Sequence, residues 1–287
     1  MIYCGLAEMP CQELCFRMIS SRRPGTGKCP RRIMRRVFQA VTLLLVSCPS
    51  AAWADDPNAL TEKERKAGFK LLFNGRNLEG WQQKGNWTVK DGAMSRASGG
   101  GNLVYQASKI PDDFELRFQW RVAAGSNSGV YYRPGQYEYQ ILDNQLHVDG
   151  KNPRTSAASV YFCMAPSRDA TNPVGEWNSG RIACQGTVIQ HWLNGQKVVG
   201  FDYTDSRWAS NVELLRKRGG NLPDRGAFLN LQDHGDPVWY RGFKLRELAA
   251  RDMLDRTPVR PAQISDEVLK LEAQKLERIL KSRKQKR

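Results

Sequence analysis

The chain has 287 residues and a formal net charge of +15, with 44 Lys and Arg against 29 Asp and Glu. Residues 1–54 hold eight basic and two acidic residues and residues 273–287 hold seven and one, which leaves about +3 for the body of the chain. Because nucleic-acid binding needs basic residues clustered on a folded surface, this distribution argues against a nucleic-acid partner.

The N-terminal segment has the features of an export signal. Met34 is followed by two arginines, by an apolar run too short to span a bilayer, and by Ala-Trp-Ala at residues 52–54. We therefore predict that Met34 is the true start of the protein and that residues 1–33 come from a mis-assigned upstream start codon. We also predict that the signal is cleaved after Ala54 and that the mature chain is exported to the periplasm or the medium. An alternative stays open, because residues 45–48 also fit a lipoprotein processing site that would anchor the chain through Cys48.

Only Cys163 and Cys184 of the seven cysteines follow this segment. In an exported protein they could form one disulfide. Each also sits in an apolar, strand-like run, so two buried free thiols fit equally well. With no CxxC motif and only three histidines, a structural zinc site is not indicated.

The first predicted elements follow a polar linker at residues 55–68, in which residues 60–67 favour a short helix. Residues 69–73 predict a short strand, and residues 87–94 a hairpin that turns at Asp-Gly. Strict alternation of apolar and polar residues over 114–122 predicts a half-buried antiparallel strand. Further strands are predicted over residues 130–133, 137–143, 159–164 and 181–184, with a second hairpin over 187–199.

The remaining segments complete the predicted architecture. An insertion at 203–225 carries a helix over 212–218, and residues 249–287 hold a basic C-terminal helix at 264–284 that we expect to be an appendage. Many short strands with regular turns and no alternating helices predict an all-β fold, a concanavalin-like antiparallel β-sandwich or jelly roll. It spans residues 69–248, after the N-terminal signal segment and before the C-terminal helix.

The segment 228–243, FLNLQDHGDPVWYRGF, combines an apolar and a polar strand face. Its two leucines alternate with Asn230, Gln232 and His234, so the leucines should be buried while the three polar side chains share the opposite face. After a turn at 235–237, a strand over 238–245 is expected to bring Arg241 back beside them. Amides, an imidazole and a guanidinium on one face are suited to a sugar-binding site.

Seven motifs in order carry a family resemblance: GFKLLFNGRNLEGW, WTVKDGAM, SGVYYR, YEYQILD, GEWN, HWLNG and LQDHGDPVWYRGFKL. Together they resemble the 3-keto-disaccharide hydrolase domain over about residues 69–248. The resemblance implies a jelly roll whose concave sheet binds sugar, and a substrate made by an upstream sugar 3-dehydrogenase. It also implies cleavage by removal of the C2 proton, elimination of the glycosidic oxygen and hydration. Gly242 departs from the pattern, because relatives often carry an amide there.

Such chemistry needs a general base, a proton donor and a cation beside the enolate. The catalytic candidates are Glu138, His234 and His191. The substrate-binding candidates are Arg133, Gln140, Asp143, Glu176, Trp177, Asn178, Asn230, Gln232 and Arg241. Structural roles are the alternatives: a surface carboxylate for Glu138, a hydrogen-bonded sheet residue for His191 and a turn cap for Asp143. A divalent cation held by Glu138, Asp143 and Glu176 also stays open.

Two other functions fit the same fold. A non-catalytic carbohydrate-binding module would need amides and aromatic rings but no base. An ordinary retaining glucanase would need two carboxylates about 5 Å apart, and residues 138–143 lack the usual E-x-D-x-x-E pattern. We therefore expect an exported enzyme that acts on 3-keto-glycosides, with the binding module as the alternative and the glucanase third.

Overall fold

The computed structural model describes residues 56–135 and 137–285, which form an all-β body with three α-helices. The strands are β1 Lys70–Leu71, β2 Trp81–Gln82, β3 Trp87–Lys90, β4 Ala93–Arg96, β5 Leu103–Lys109, β6 Phe114–Val122, β7 Asn127–Tyr131, β8 Glu138–Leu142, β9 Asn178–Gln185, β10 Val188–Leu193, β11 Gln196–Asp202, β12 Phe228–Leu231 and β13 Val238–Glu247. The helices are α1 Glu62–Lys66, α2 Ala209–Arg218 and α3 Asp266–Gln285, and 3₁₀ turns occupy Val148–Lys151, Pro153–Thr155 and Ser206–Trp208. The predicted signal segment and Cys48 lie outside the described residues.

The strands form two antiparallel sheets. The eight-stranded sheet has the order β11-β10-β9-β6-β13-β4-β3, with β1 paired to β13. The five-stranded sheet has the order β2-β5-β12-β7-β8. This arrangement confirms the predicted antiparallel β-sandwich, and it places β12 and β13, which follow one another in the chain, in different sheets.

The core lies between the two sheets. The apolar residues of β6 alternate inward as predicted, and all five are at most 4% exposed. Phe118 from β6 stacks on Phe243 at 5.4 Å and meets Tyr139 of the other sheet edge-on at 5.2 Å. Truncating such a buried ring typically costs about 3–5 kcal/mol, so these contacts fix how the sheets face each other.

Both predicted hairpins form. Asp91 and Gly92 have φ values of 51° and 71°, and Asn194 and Gly195 have 48° and 78°. Positive φ at both central residues matches the right-handed twist of the flanking strands, which is why Asp-Gly and Asn-Gly favour these turns.

The strand predicted at 159–164 is wrong. The segment makes only isolated bridges, between Tyr139 and Val160 and between Val160 and Met164. Ala158 and Phe162 have φ values of 65° and 60°, which interrupts a regular ladder. The segment still covers the outer edge of β8, where the amide of residue 161 donates to the carbonyl of residue 138 at 3.2 Å.

The C-terminal helix is not an appendage, in contrast to our expectation. Glu272 of α3 is buried and pairs with Arg154. Near the helix end, Arg283 donates to the carbonyl oxygens of Lys217 and Arg218 in the last turn of α2. The helix is therefore held against both the insertion and the segment beside β8. Within the described residues, no helix is both long and apolar enough to cross a membrane.

Cys163 and Cys184 are buried free thiols. Burial raises the pKa of Cys184 to about 11, and it raises the pKa of Cys163 further. The open choice between a disulfide and two thiols is thus decided in favour of the thiols.

Candidate active site

One face of the five-stranded sheet turns away from the core and carries polar side chains, and we call it the polar face. It is built from two adjacent cross-strand rows. The first row holds Glu138, Tyr131, Asn230 and Val104, and the second holds Gln140, Gly129 and Gln232. Because side chains alternate along a strand, Leu229 and Leu231 point from the same strand β12 into the core.

A cavity of 570 Å³ opens on this polar face. Its wall includes Tyr131, Asn230 and Gln232 from the two rows, with Phe228 at the start of β12 and Asp233 two residues after its end. Small-molecule sites usually measure about 300–1,000 Å³, so this cavity suits a ligand of disaccharide size.

Glu138 is the buried carboxyl group of the polar face, and its side chain is beside Tyr131. The residue is only 4% exposed, and its Oε2 atom has no hydrogen-bond partner among the described residues. Burial raises the pKa of Glu138 to about 7, against the opposing effects of the Tyr131 hydroxyl and of the positive charges of Arg218 and Lys275. A carboxyl group with a pKa near neutrality can both accept and return a proton at physiological pH.

Tyr131 connects this carboxyl group to the cavity. Its hydroxyl oxygen accepts a hydrogen bond from Gln232 Nε2 at 3.1 Å, which leaves the phenolic proton positioned for Glu138. Burial and the neighbouring carboxylate raise the pKa of Tyr131, so the phenol stays protonated. The phenol thus accepts from Gln232, and its own proton is available to Glu138, its cross-strand neighbour.

Gly129 makes room for the carboxylate between the two rows. A Cβ atom at this position would lie 2.5 Å from Glu138 Oε2 and 3.6 Å from Gln232 Oε1. A separation of 2.5 Å is a steric overlap, so the Glu138 side chain can take its position only because residue 129 has no side chain.

Several buried oxygen atoms of the polar face have no partner among the described residues: Glu138 Oε2, Gln140 Oε1, Asn230 Oδ1 and Gln232 Oε1. Buried polar atoms in native proteins are nearly always hydrogen-bonded, so four acceptors without a partner on one face point to a functional site there. Two of the four residues, Asn230 and Gln232, also line the cavity.

The comparisons with known proteins identify the family of this chain. The family model of the 3-keto-alpha-glucoside-1,2-lyase-like domain matches residues 68–246. The chain belongs to this family. A 3-keto-disaccharide hydrolase of Bacteroides thetaiotaomicron is 27% identical over 261 residues, which are 73% of this chain and 89% of that protein.

Solved structures give the same picture of the family. A crystal structure of a candidate glycosyl hydrolase from Parabacteroides distasonis is 28% identical, has a TM-score of 0.56, and is matched over 67% of this chain and 99% of that one. A second such structure from the same organism is also 28% identical, with a TM-score of 0.51 and coverage of 63% and 99%. Together with the family match, these similarities support a glycosidase-type enzyme.

Within this 3-keto-alpha-glucoside-1,2-lyase-like domain, the expectation for His191 is wrong. Its ring is fully buried between the sheets, where it is 2.6 Å from the Tyr132 hydroxyl and 2.9 Å from the carbonyl oxygen of Ala158. Burial lowers the pKa of His191 to about 3, so the imidazole is neutral. It is a hydrogen-bonded core residue, which was the structural alternative, and it does not reach the polar face.

The expectation for Arg241 is also wrong. The turn at 235–237 carries the chain from one sheet to the other, so β13 pairs with β6 and not with β12. Arg241 faces outward from the eight-stranded sheet, where it stacks on Trp177 at 3.9 Å and donates to Gln119 Oε1 at 2.7 Å. The exposed Glu176 precedes this tryptophan, so these three residues lie away from Glu138.

Three further candidates are occupied by structural contacts. Asn178 is buried, and its Oδ1 accepts from Asn194 Nδ2 at 2.8 Å. Asp143 accepts from the amides of residues 125 and 145 at 2.7 and 2.9 Å, as a turn cap does. Arg133 lines the cavity, but its guanidinium donates to the carbonyl oxygens of residues 111 and 112.

His234 lies at the turn after β12, apart from the two rows. Its Nδ1 is 3.3 Å from Asp236 Oδ2, and its ring meets that of His147 edge-on at 5.9 Å. Its side chain is 43% exposed. The structure therefore brings together Glu138, Gln140, Asn230 and Gln232, with Arg133 on the cavity wall and His234 outside the rows.

A divalent cation is not supported by the residues described here. Glu138, Asp143 and Glu176 do not converge, and among the residues of 56–135 and 137–285 no three His, Cys, Asp or Glu side chains are grouped to hold an ion. No step of the chemistry below is therefore assigned to a metal.

Four residues around Glu138 were missed in the sequence: Gly129, Tyr131, Arg218 and Lys275. The first two could have been found, since SGVYYR and YEYQILD pair as neighbouring strands and an outward Tyr131 then faces Glu138. The two cations come from the insertion and from the C-terminal helix. No local pattern links either segment to β8.

Proposed function

We propose that this chain cleaves 3-keto-glycosides by elimination followed by hydration. The observation that carries this proposal is the buried Glu138, whose pKa is raised to about 7 beside a cavity of disaccharide size. A ketone at C3 of a sugar acidifies the hydrogen on C2. A carboxylate with this pKa is matched to removing such a proton near neutral pH.

In the first step, the ionised Glu138 acts through Tyr131, which is a residue of the cavity wall. The phenolic oxygen takes the proton from C2 while its own proton passes to the carboxylate. The electron pair of the C–H bond moves toward the ketone and forms an enolate.

In the second step, the enolate collapses and the bond between C1 and the glycosidic oxygen breaks. The oxygen leaves with the electron pair and receives a proton back from the Tyr131–Glu138 pair. Water then adds to the C1–C2 double bond, with hydroxide on C1 and a proton on C2. The net change is hydrolysis, and the side chains return to their starting protonation states.

Asn230 and Gln232 bind the substrate in this proposal. Both side chains line the cavity, and both have a buried carbonyl oxygen without a partner among the described residues. Gln232 Nε2 already donates to Tyr131, so its Oε1 is left for a sugar hydroxyl. These contacts fix the sugar ring so that C2 faces the phenol.

A non-catalytic carbohydrate-binding module is the alternative, because unpaired amide oxygens would serve it equally. The raised pKa of Glu138 favours the enzyme, since a binding module has no use for a carboxyl group poised near neutrality. A retaining glucanase needs a second carboxylate about 5 Å away. Asp149, the acidic residue whose charge acts on Glu138, is already held by Lys275 and Tyr161.

We also propose that the chain is exported and that a sugar 3-dehydrogenase supplies its substrate. The first rests on the sequence of residues 34–54, and mass spectrometry of the N-terminus of the processed protein tests it. The second rests on chemistry, because an unoxidised glycoside lacks the ketone that acidifies C2.

One assay separates the three functions. The purified protein is incubated with a 3-keto disaccharide and, in parallel, with its unoxidised parent, and free sugar is followed over time. Cleavage of the keto sugar alone is the expected result. Binding of either sugar without turnover would assign the protein to the binding modules, and turnover of the parent would favour the glucanase.

A further inference from the structure

The C-terminal helix α3 lies beyond the matched family domain, which ends at residue 246. It nevertheless reaches the edge of the polar face. We propose that α3 is a positioning element of the candidate active site, which places Lys275 beside Glu138 and holds Arg218 in place through Arg283. The proposal rests on the function assigned above to Glu138.

Lys275 is held by contacts on three sides. Its Nζ atom is 2.5 Å from Asp149 Oδ1 and 3.1 Å from the Tyr161 hydroxyl, which itself donates to Asp149 Oδ2 at 3.0 Å. The ammonium group also lies 5.7 Å from the centroid of the Tyr161 ring and 5.8 Å from that of Phe162. A charge held by several groups at once has a fixed position, unlike a lone surface lysine.

This network is joined to the candidate base through Tyr161, whose backbone is one strand spacing from that of Glu138. The amide of Tyr161 donates to the carbonyl oxygen of Glu138 at 3.2 Å, so the two residues are neighbours across the edge of β8. Adjacent extended segments are about 4.8 Å apart. Tyr161 thus continues the row of Asn230, Tyr131 and Glu138, and Lys275 and Asp149 lie at its end.

Arg283 acts on the same region through α2. It donates to the carbonyl oxygens of Lys217 and Arg218, the latter contact being the shorter, and α2 ends at Gly219 with φ 103°. The last carbonyl groups of a helix lack partners within the helix, so a guanidinium fixes the helix end. That end carries Arg218, whose guanidinium lies 5.4 Å from the Tyr161 ring centroid.

The charged and titratable groups that act on Glu138 come from several elements, including Tyr240 of β13 in the facing sheet, and the remaining groups lie around the polar face. They are Tyr131 from β7, Arg218 from α2, Asp149 and Tyr161 from the segment beside β8, and Lys275 from α3. The two cations lower the pKa of Glu138, whereas Asp149 raises it. Burial is the largest effect on this pKa, and the helix lowers the pH above which the base is ionised, and with it the acid limb of the pH–rate profile.

The test uses two substitutions that should act in opposite directions. Lys275→Met removes a cation and should shift the titration of Glu138 to higher pH, by about half a unit. Asp149→Asn removes an anion and should shift it to lower pH by a similar amount. The titration is followed by ¹³C NMR of the full chain with glutamate labelled at Cδ, in which the Glu138 signal is the one lost in Glu138→Gln, and the pH dependence of kcat is measured in parallel.

Two further variants serve as control and support. Lys281→Met changes an exposed lysine of the same helix that pairs with Glu277, and it should leave the Glu138 titration unchanged. Arg283→Met should shift the titration in the same direction as Lys275→Met, because it loosens the helix end that carries Arg218. Near-ultraviolet circular dichroism identifies any variant that has lost its fold.

Shifts of opposite sign support the proposal, since a merely structural helix would not produce them. Unchanged titrations in both main variants, or shifts in the same direction, would overturn it. The NMR readout does not depend on turnover. If the titration shifts as expected but no keto sugar is cleaved, the proposed function fails alone; if the sugar is cleaved and the titration does not shift, the role of α3 fails alone.

Discussion

Tyr131 and Glu138 lie directly opposite each other on the neighbouring strands β7 and β8, with the phenol positioned to donate to the buried carboxylate. The register of the sheet thereby couples a hydroxyl on the cavity wall to a group that titrates near neutrality. Most of the predictions below depend on this pair.

Glu138→Gln should abolish turnover of a 3-keto disaccharide and stabilise the protein at pH 8. The folded state raises the pKa of this carboxyl from 4.5 to about 7, so at pH 8 it buries a charge that costs on the order of 3 kcal/mol. Sugar release and urea denaturation at pH 8 measure the two effects. Glu176→Gln, at an exposed position away from the cavity, should change neither. Full activity of Glu138→Gln would remove Glu138 from the mechanism.

Tyr131→Phe should lower kcat by at least about 100-fold, since general acid–base groups typically contribute 10²–10⁴. The lost hydrogen bond also lowered the pKa of Glu138, so the acid limb of the remaining activity should move to higher pH. A pH–rate profile checks both expectations. Tyr105→Phe, which removes a hydroxyl from a ring that packs on Trp81, is the matched control. An unshifted profile with normal kcat would rule out the relay.

Gly129→Ala should lower kcat at least about tenfold with little loss of stability. Its φ is not in the left-handed region, so alanine fits the backbone, but the added Cβ overlaps the Glu138 carboxylate at 2.5 Å. Kinetics and thermal unfolding on the same sample separate the two effects. The shorter carboxylate in Gly129→Ala/Glu138→Asp should partly restore kcat relative to Gly129→Ala. Gly99→Ala, where a Cβ meets only ordinary contacts, should behave as the parent.

Substitutions on the two sheets should have different effects on substrate use. Asn230→Ala removes a cavity contact and should lower kcat/KM by about 5–30-fold, the effect of one or two kcal/mol of lost hydrogen bonding. Arg241→Gln and Trp177→Ala change side chains on the outer face of the eight-stranded sheet, and both variants should stay within about twofold of the parent. Initial rates over a range of substrate concentrations test this. The reverse pattern would move the site to the other sheet.

The pH dependence of stability should reveal two groups with opposing effects. Between pH 4.5 and about 7, Glu138 is protonated when folded and ionised when unfolded, so its contribution to stability falls as pH rises. Between about pH 3 and 6.5, His191 is neutral when folded and charged when unfolded, so its contribution rises with pH. Between pH 4.5 and 6.5 both groups contribute, and their effects on the free energy of unfolding have opposite signs. Each changes it by at most about 1.4 kcal/mol per pH unit.

Replacing either Glu138 or His191 should reveal the effect of the other on the pH dependence of stability. Relative to the parent, the free energy of unfolding of Glu138→Gln should rise more steeply with pH in that pH range, and that of His191→Gln should rise less steeply or fall. Urea denaturation at several pH values between 5 and 6.5 measures both slopes. Parallel curves for the two variants would contradict the protonation states assigned to these residues.

Much of the fold could be predicted from the sequence, because local signals determine it. Alternation over 114–122 gives β6 at its observed bounds, and the Asp-Gly and Asn-Gly turns give both hairpins. The failure at 159–164 also has a local cause. Residues 158 and 162 take positive φ without being glycine, which no hydrophobic pattern signals.

The site was predicted only in part, because the alternation of side chains along a strand does not show which of the two sheets that strand joins. The alternation of side chains correctly placed Glu138 and Gln140 on one face of their strand, and Asn230 and Gln232 on one face of theirs. The pairing of both strands with β7 brings these two faces together. The same alternation predicted that the Arg241 side chain points away from the core, which is correct. It points away from the eight-stranded sheet, however, and not from the sheet that carries Glu138. His191 shows the other limit, since a histidine on a strand can point to a core that offers it two hydrogen-bond partners.

The two buried cysteines have a practical consequence. Cys163 and Cys184 are unpaired, and their high pKa values keep them in the unreactive thiol form. Residues 56–135 and 137–285 contain no disulfide, so their packing owes nothing to an oxidising compartment. The sandwich should therefore reach the same native state when it is produced in a reducing bacterial cytoplasm, and glutathione in the buffer should leave its melting temperature unchanged.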